Sequence, residues 1–254
     1  MGAFEWAAAI GAAAWLPQVI TWIAKWFAKP KLKIIPSKTP EVGYTSFGPI
    51  FNLTCAIAAE RKDAVVERVS VSLRHERGQK SLFIWESLNE TFSQIRSTEG
   101  FAEISKNQPA IALKVSTLIL TEKQIGMRET TFQDEIRPYI TALSDHQSFL
   151  KKTQADYQQT TIRSKEFADL VELYRRRFPW QEGRYHVTAE LRIAGVKEPT
   201  KQDFAFSLSA GEIDKLKQNL DEIERYISDT VQQPLDGDTQ YNWNWQYPPF
   251  EGAD

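Results

Sequence analysis

The chain has 254 residues, 42% hydrophobic and 12% aromatic, which suffices to bury a sizeable core and excludes a disordered protein. Its 31 basic and 33 acidic residues leave a net charge of -2, so no global field draws nucleic acid or a polyanionic substrate. A lone cysteine, Cys55, excludes an internal disulfide, as in a domain kept in a reducing compartment, and with only His75, His146 and His186 beside it no zinc site is expected.

Between Glu5 and Lys25, nineteen residues carry no formal charge. As a helix they would extend roughly 28 Å at about 1.5 Å per residue, close to the ~30 Å hydrocarbon core of a bilayer. Trp6 at one end and Trp22 and Trp26 at the other suit headgroup depth, and Lys25, Lys29, Lys31 and Lys33 follow. The lysine flank predicts a single-pass membrane helix within residues 1–30, with the rest of the chain cytoplasmic. Alanine richness, Gln18 and a kinking Pro17 weaken a span. Trp15, Val19, Trp22 and Trp26, at spacings of four, three and four, also fit a helix lying in the membrane interface or one buried between protomers of a homo-oligomer. No basic residue precedes the run, against a secretory signal, and Trp6 stands where a myristoylation motif wants Ser or Thr. Ala7 with Gly11, and Ala8 with Ala12, have the small-residue spacing of close helix pairing.

After Lys33 the pattern turns to period two. Phe51, Leu53, Cys55 and Ile57 alternate with smaller or polar residues, as do Val69, Val71 and Leu73. Residues 81–86 predict a short strand and 111–121 a longer one. Two Asn-x-Thr runs, at Asn52 and Asn89, would matter only outside the cytoplasm. A helical insertion is expected at about 131–178, where Phe167, Leu170, Val171, Tyr174 and Phe178 form a stripe that Pro179 stops. Arg175, Arg176 and Arg177 close that helix, either as a solvated basic end or as an anion contact if they face a membrane. Strands resume with Tyr185, Val187, Ala189, Leu191 and Ile193 on one side, then Phe204, Phe206 and Leu208. Strands with one oily face must pair those faces, which an antiparallel sandwich over 31–231 achieves.

The run EGRYHV, Glu182 to Val187, resembles the tyrosine corner of immunoglobulin-like sandwiches, with Gly183 two residues before Tyr185. The resemblance covers about residues 31–122 and 182–209. It implies that Cys55 and Val187 replace the usual disulfide between strands B and F, while the candidate strand C, Val69 to His75, lacks the tryptophan of antibody domains. It is a likeness to a superfold and implies no activity.

Ser209 and Glu212 form a capping box ahead of a helix at about 210–231, with Ile213, Leu216, Leu220, Ile223 and Ile227 on one face, against its own sandwich or a partner helix. In the tail, residues 232–254, Tyr241, Trp243, Trp245 and Tyr247 alternate with amides, so an extended segment would present four rings on one side, to its own domain, to a partner protein or to a membrane surface. No Gly-rich phosphate loop, GxSxG, HExxH or CxxC occurs, and His75, His186 and Cys55 read as structural. The expectation is a membrane-anchored interaction or sensor module without catalysis, cofactor or metal, contacting lipid through its first helix and an unidentified protein partner. The alternatives are a soluble assembly subunit and a membrane-perturbing effector. The bare anchor suits a bacterial protein.

Overall fold

The computed structural model describes residues 15, 17–20, 29–97, 100–232 and 240–251, the stretch 90–105 by its backbone alone. The period-two segments form β1 (Lys31–Pro36), β2 (Glu41–Thr45), β3 (Gly48–Glu60), β4 (Ala64–His75), β5 (Lys80–Ser97), β6 (Gly100–Pro109), β7 (Leu113–Val115), β8 (Thr121–Glu129), β9 (Gly183–Ile193) and β10 (Thr200–Leu208). They make one antiparallel sheet in the order β1-β3-β8-β5-β4-β9-β10, with β2 beside β3, β6 beside β5 and β7 beside β4. Inward residues such as Phe51, Leu53, Ile57, Val69, Val71, Val187 and Leu191 are fully buried, as their alternation demands.

The sheet is nearly closed, where the sequence predicted two facing layers. The difference lies in β4 and β5, which pair from Ser70–Ile84 to Arg74–Lys80 and join the halves. β5 then bends at a bulge around Glu86 to pair with β8. It is 18 residues long, far beyond the predicted 81–86, because it continues as a two-stranded ribbon with β6. The predicted strand at 111–121 shrinks to β7, and the rest is an exposed loop.

At the open seam, the Ile34 N–H of β1 donates to the Gln202 side chain of β10 at 3.1 Å. The tail covers the remaining gap. Gln246 exchanges both backbone hydrogen bonds with Val42 at 2.8 and 2.9 Å, and the Glu251 N–H donates to the Ala205 carbonyl at 2.8 Å. Phe250 is buried against Phe204 and Phe206.

Helices gather at one end of the sheet: α1 (Phe132–Thr153), α2 (Tyr157–Ile162) and α3 (Lys165–Arg176) between β8 and β9, and α4 (Ala210–Gln232) after β10. The Ser209–Glu212 capping box forms, with the Ser209 N–H donating to the Glu212 carboxylate at 2.8 Å. The register places Lys31, Glu60, Ala64, Thr121, Ile193 and Thr200 at the opposite end, so residues 29–30 lead into the sheet there.

Candidate functional site

Tyr185 lies beneath the sheet's helical end, and its hydroxyl accepts from the Gln181 N–H at 2.7 Å and donates to the Gln181 carbonyl at 3.0 Å. Its ring stacks on Phe206 and meets Trp180 and His75. Gly183 has φ +126, and a Cβ there would fall within 3.0 Å of Glu76 and His75, so only glycine fits the corner. Buried His75 accepts the Arg77 N–H on Nδ1 at 3.3 Å, which leaves the proton on Nε2 facing the Glu182 carbonyl at 3.1 Å. Cys55 is buried in β3, and burial pushes its thiol up to about 12. Among the described residues, no group of three or more His, Cys, Asp or Glu could hold a metal ion.

The helical end carries an apolar opening. Tyr44 from β2 donates its hydroxyl to the Tyr174 carbonyl at 2.7 Å, and Tyr174 donates to the Ser46 carbonyl at 2.6 Å, which locks α3 onto the β2–β3 turn. Beside this lock, α1, α3 and α4 diverge and leave a groove of about 390 Å³ over Ile136, Leu143, Leu170, Ile227 and Val231. Ile140 and Phe47, about half exposed, stand at its rim. The sequence reading found Tyr174 and Ile227 but not Phe47, Ile136 or Ile140, because α1 gave no clean apolar stripe: Pro138 interrupts it and its outer positions are mixed.

The three arginines have different surroundings. Arg175 pairs with Glu224 of α4 at 2.8 Å, and Arg177 pairs with Glu135 at 2.8 Å and donates to the Thr131 hydroxyl at 3.1 Å. Arg176 is exposed beside a cavity of about 640 Å³ with a mixed polar and apolar lining, which Arg177, Lys80, Glu129 and Thr131 also line. The N-terminus of α1 is already answered there, since the Glu129 carboxylate accepts the Thr131 and Phe132 N–H groups at 3.0 and 2.7 Å.

Of the tail aromatics, Tyr241, Trp243 and Trp245 are half-buried and Tyr247 is mostly exposed. Tyr241 packs on Tyr226 and donates to Asp229, and Tyr247 donates to Glu41. Trp245 covers Gly43, where a Cβ would fall within 3.0 Å of the indole. Asn219, fully buried in α4, holds the tail by donating to the Asn244 carbonyl at 2.9 Å and accepting its N–H at 2.7 Å.

At the end of the sheet opposite the helices, Leu118, Ile119 and Leu120 are 91%, 69% and 50% exposed. Trp6, Trp22, Lys25 and Trp26 lie outside the described residues. Trp15 and Pro17 are helical, Trp15 is exposed, and Lys29 is exposed next to β1. Among the described residues, no helix is long and apolar enough to cross a membrane. No protein-family model, curated protein or solved structure matches the chain.

Proposed function

We propose that the chain is a membrane-tethered binding module without catalytic activity, held by its uncharged N-terminal segment with the β domain on the cytoplasmic side. The strand order supports an immunoglobulin-like body: β1-β3-β8-β5 follows the A-B-E-D order and β4-β9-β10 the C-F-G order, with Tyr185 at the start of F. The module presents its apolar groove to a protein partner that inserts one face of an amphipathic helix.

The observation that carries this reading is polarity. The groove at α1, α3 and α4 stands at the far end of the sheet from Lys31, where the uncharged segment joins, so a tethered domain offers the groove outward. Its apolar floor with Gln133, Ser144 and Gln147 at the margins matches what an amphipathic helix presents. Two measurements test the two halves. Full-length protein is expected to stay in carbonate-washed membranes, with its β domain protected from external protease; release of intact protein by carbonate would overturn the tether. A photoreactive residue at Ile140 is expected to give an adduct of one mass that a probe at Leu82 does not give, and Ser144→Trp, which fills the groove, abolishes it. An adduct unaffected by that filling, or none, rejects the groove as the partner site.

A further inference from the structure

Residues 116–120, Ser-Thr-Leu-Ile-Leu, turn three successive large apolar side chains toward solvent. Scattered single exposures are ordinary, but three in a row are an error in a soluble surface unless something covers them. Nor is this a slack connection. The Asp63 carboxylate, in the β3–β4 turn, accepts the Thr117 N–H at 2.8 Å, the Thr117 hydroxyl at 3.0 Å and the Ser116 hydroxyl at 3.4 Å. Those bonds hold its carboxyl below the usual range. The Leu118 N–H donates to the Ser116 hydroxyl at 3.2 Å, closing the turn that presents the leucines and isoleucine. The sequence has spent polar side chains on keeping an apolar tip in one shape.

The surroundings of the tip narrow its occupant. Val115 pairs with Ala64, Lys31 with Glu60, and the Ala194 N–H donates to the Val65 carbonyl, so the loop, the β3–β4 turn, the β9–β10 turn and the start of β1 share one end. Exposed Arg61, Lys62, Lys114 and Lys197 stand there, with Lys29 and Lys31 where the uncharged segment enters. Among the described residues, the carboxylates at this end are Glu60, paired with Lys31 at 3.1 Å, Asp63, occupied by the loop, and exposed Glu67, Glu122 and Glu198, against the six cations Lys29, Lys31, Arg61, Lys62, Lys114 and Lys197. Apolar side chains rimmed by net positive charge, beside the attachment of an uncharged segment, have the chemistry of a bilayer interface, where leucine and isoleucine enter the acyl boundary and cations meet anionic headgroups.

We infer that Leu118, Ile119 and Leu120 form a second membrane contact that inserts into an anionic lipid surface and fixes the sheet end-on to the bilayer. This rests on the tethered reading above and adds to it an orientation and a lipid preference. The domain stands on that end, with the groove directed away from the lipid, instead of swinging on its linker. Each cation of the rim contributes up to about fivefold in partitioning onto anionic membranes, an attraction that falls with salt.

The test uses the full chain reconstituted into vesicles of phosphatidylcholine with one-quarter phosphatidylglycerol. Because Cys55 is buried, Leu118→Cys and, at the helical end, Phe149→Cys can each be labelled singly with an environment-sensitive fluorophore. The label at 118 is expected to shift to the blue and to be quenched by lipids carrying a nitroxide near the headgroup, while the label at 149 stays solvent-like. Pure phosphatidylcholine or the Lys62→Ala/Lys114→Ala double variant reduces the quenching. A protein that floats with the vesicles while its label at 118 remains solvent-like overturns the lipid contact and leaves the tether standing. A protein that does not float overturns both. A blue shift without nitroxide quenching means the tip is covered by a second copy or another protein, and also overturns the inference. As a second variant free of the label, Leu118→Ser/Ile119→Ser/Leu120→Ser is expected to keep the fold, since none of the three is buried, and to lose protection of the loop from protease on vesicles.

Discussion

Asn219 offers the sharpest test of how the tail holds the fold together. Its side chain is fully buried and makes two hydrogen bonds to the backbone of Asn244. Asn219→Ala removes both and leaves the Asn244 N–H and carbonyl without partners in a half-buried position. At about 1–2 kcal/mol for each of the two backbone groups stranded, the lower part of the usual range because Asn244 is only half-buried, the cost is roughly 2–4 kcal/mol while the tail stays docked. A second perturbation strains the same segment from the other side: Gly43→Ala drives a Cβ into the Trp245 ring, which must move. If both act through tail docking, the tail leaves once their sum exceeds its docking energy, and neither then costs more. The double variant is therefore expected to lose less stability than the sum of the singles, by about 1 kcal/mol or more. Urea unfolding supplies the four stabilities, and chymotrypsin, cutting after the aromatic residues at 241–247, reports undocking ahead of global unfolding. Additivity to within about 0.5 kcal/mol, with a tail that stays protease-resistant in the double variant, would refute the tail as a clamp across the seam.

Other outcomes follow from single contacts. Tyr185→Phe keeps the ring stacked on Phe206 but strands both backbone groups of Gln181, and is expected to lower stability by about 2 kcal/mol, seen as a Tm about 4–8 °C lower. Native Cys55, its thiol pushed up to about 12 by burial, is expected to resist iodoacetamide at pH 8 and to react only on unfolding; prompt modification would contradict its place in β3. Asp63 titrates below an ordinary aspartate because it accepts hydrogen bonds from Thr117, so its hold on the loop is complete at neutral pH and is lost as pH falls through that lowered value. Exchange of the Thr117 amide, corrected for intrinsic rates, is therefore expected to lose protection in acid, and Asp63→Ala to produce the same loss at pH 7.

What the sequence disclosed, and what it withheld, divides by the range of the interaction. Alternation revealed the buried faces of β3, β4, β9 and β10 because burial of every second residue is local. The tyrosine corner was legible for the same reason, its hydroxyl reaching only four residues back to Gln181. The loop at 116–120 was misread as strand because leucine, isoleucine and threonine suit strands, while the group that makes it a loop, Asp63, lies 54 residues away from Thr117. Helix α4 was placed correctly, but Asn219 was passed over beside Leu216 and Leu220, since only the tail explains a fully buried amide there. In the tail the alternation failed after Trp245: backbone pairing with Val42 buries Gln246 and turns Tyr247 outward, so the four rings do not share one open face.

The arginine triplet shows why the position of a charge outweighs its number. Three adjacent arginines were the most basic run in the chain, and an anion contact was conceivable if they faced the membrane. They stand beside Glu129, at the far end of β8 from Thr121, and the strand between those residues spans about 26 Å at ~3.3 Å per residue. The Debye length at physiological ionic strength is about 8 Å, so a lipid surface at the Thr121 end exerts almost no pull on them. Two of them tie helices together: Arg175 links α3 to α4 through Glu224, and Arg177 links the end of α3 to α1 through Glu135. The cations at the opposite end are the Arg61–Lys62 pair, Lys114 and Lys197, with Lys29 and Lys31 at the start of β1; they come from separate stretches of sequence that the pairing of β1, β3, β4, β7, β9 and β10 brings to one end, where the proposed lipid contact lies. Replacing Arg175 should loosen the helical end without changing vesicle binding, whereas replacing Lys62 and Lys114 should weaken binding without loosening the helices.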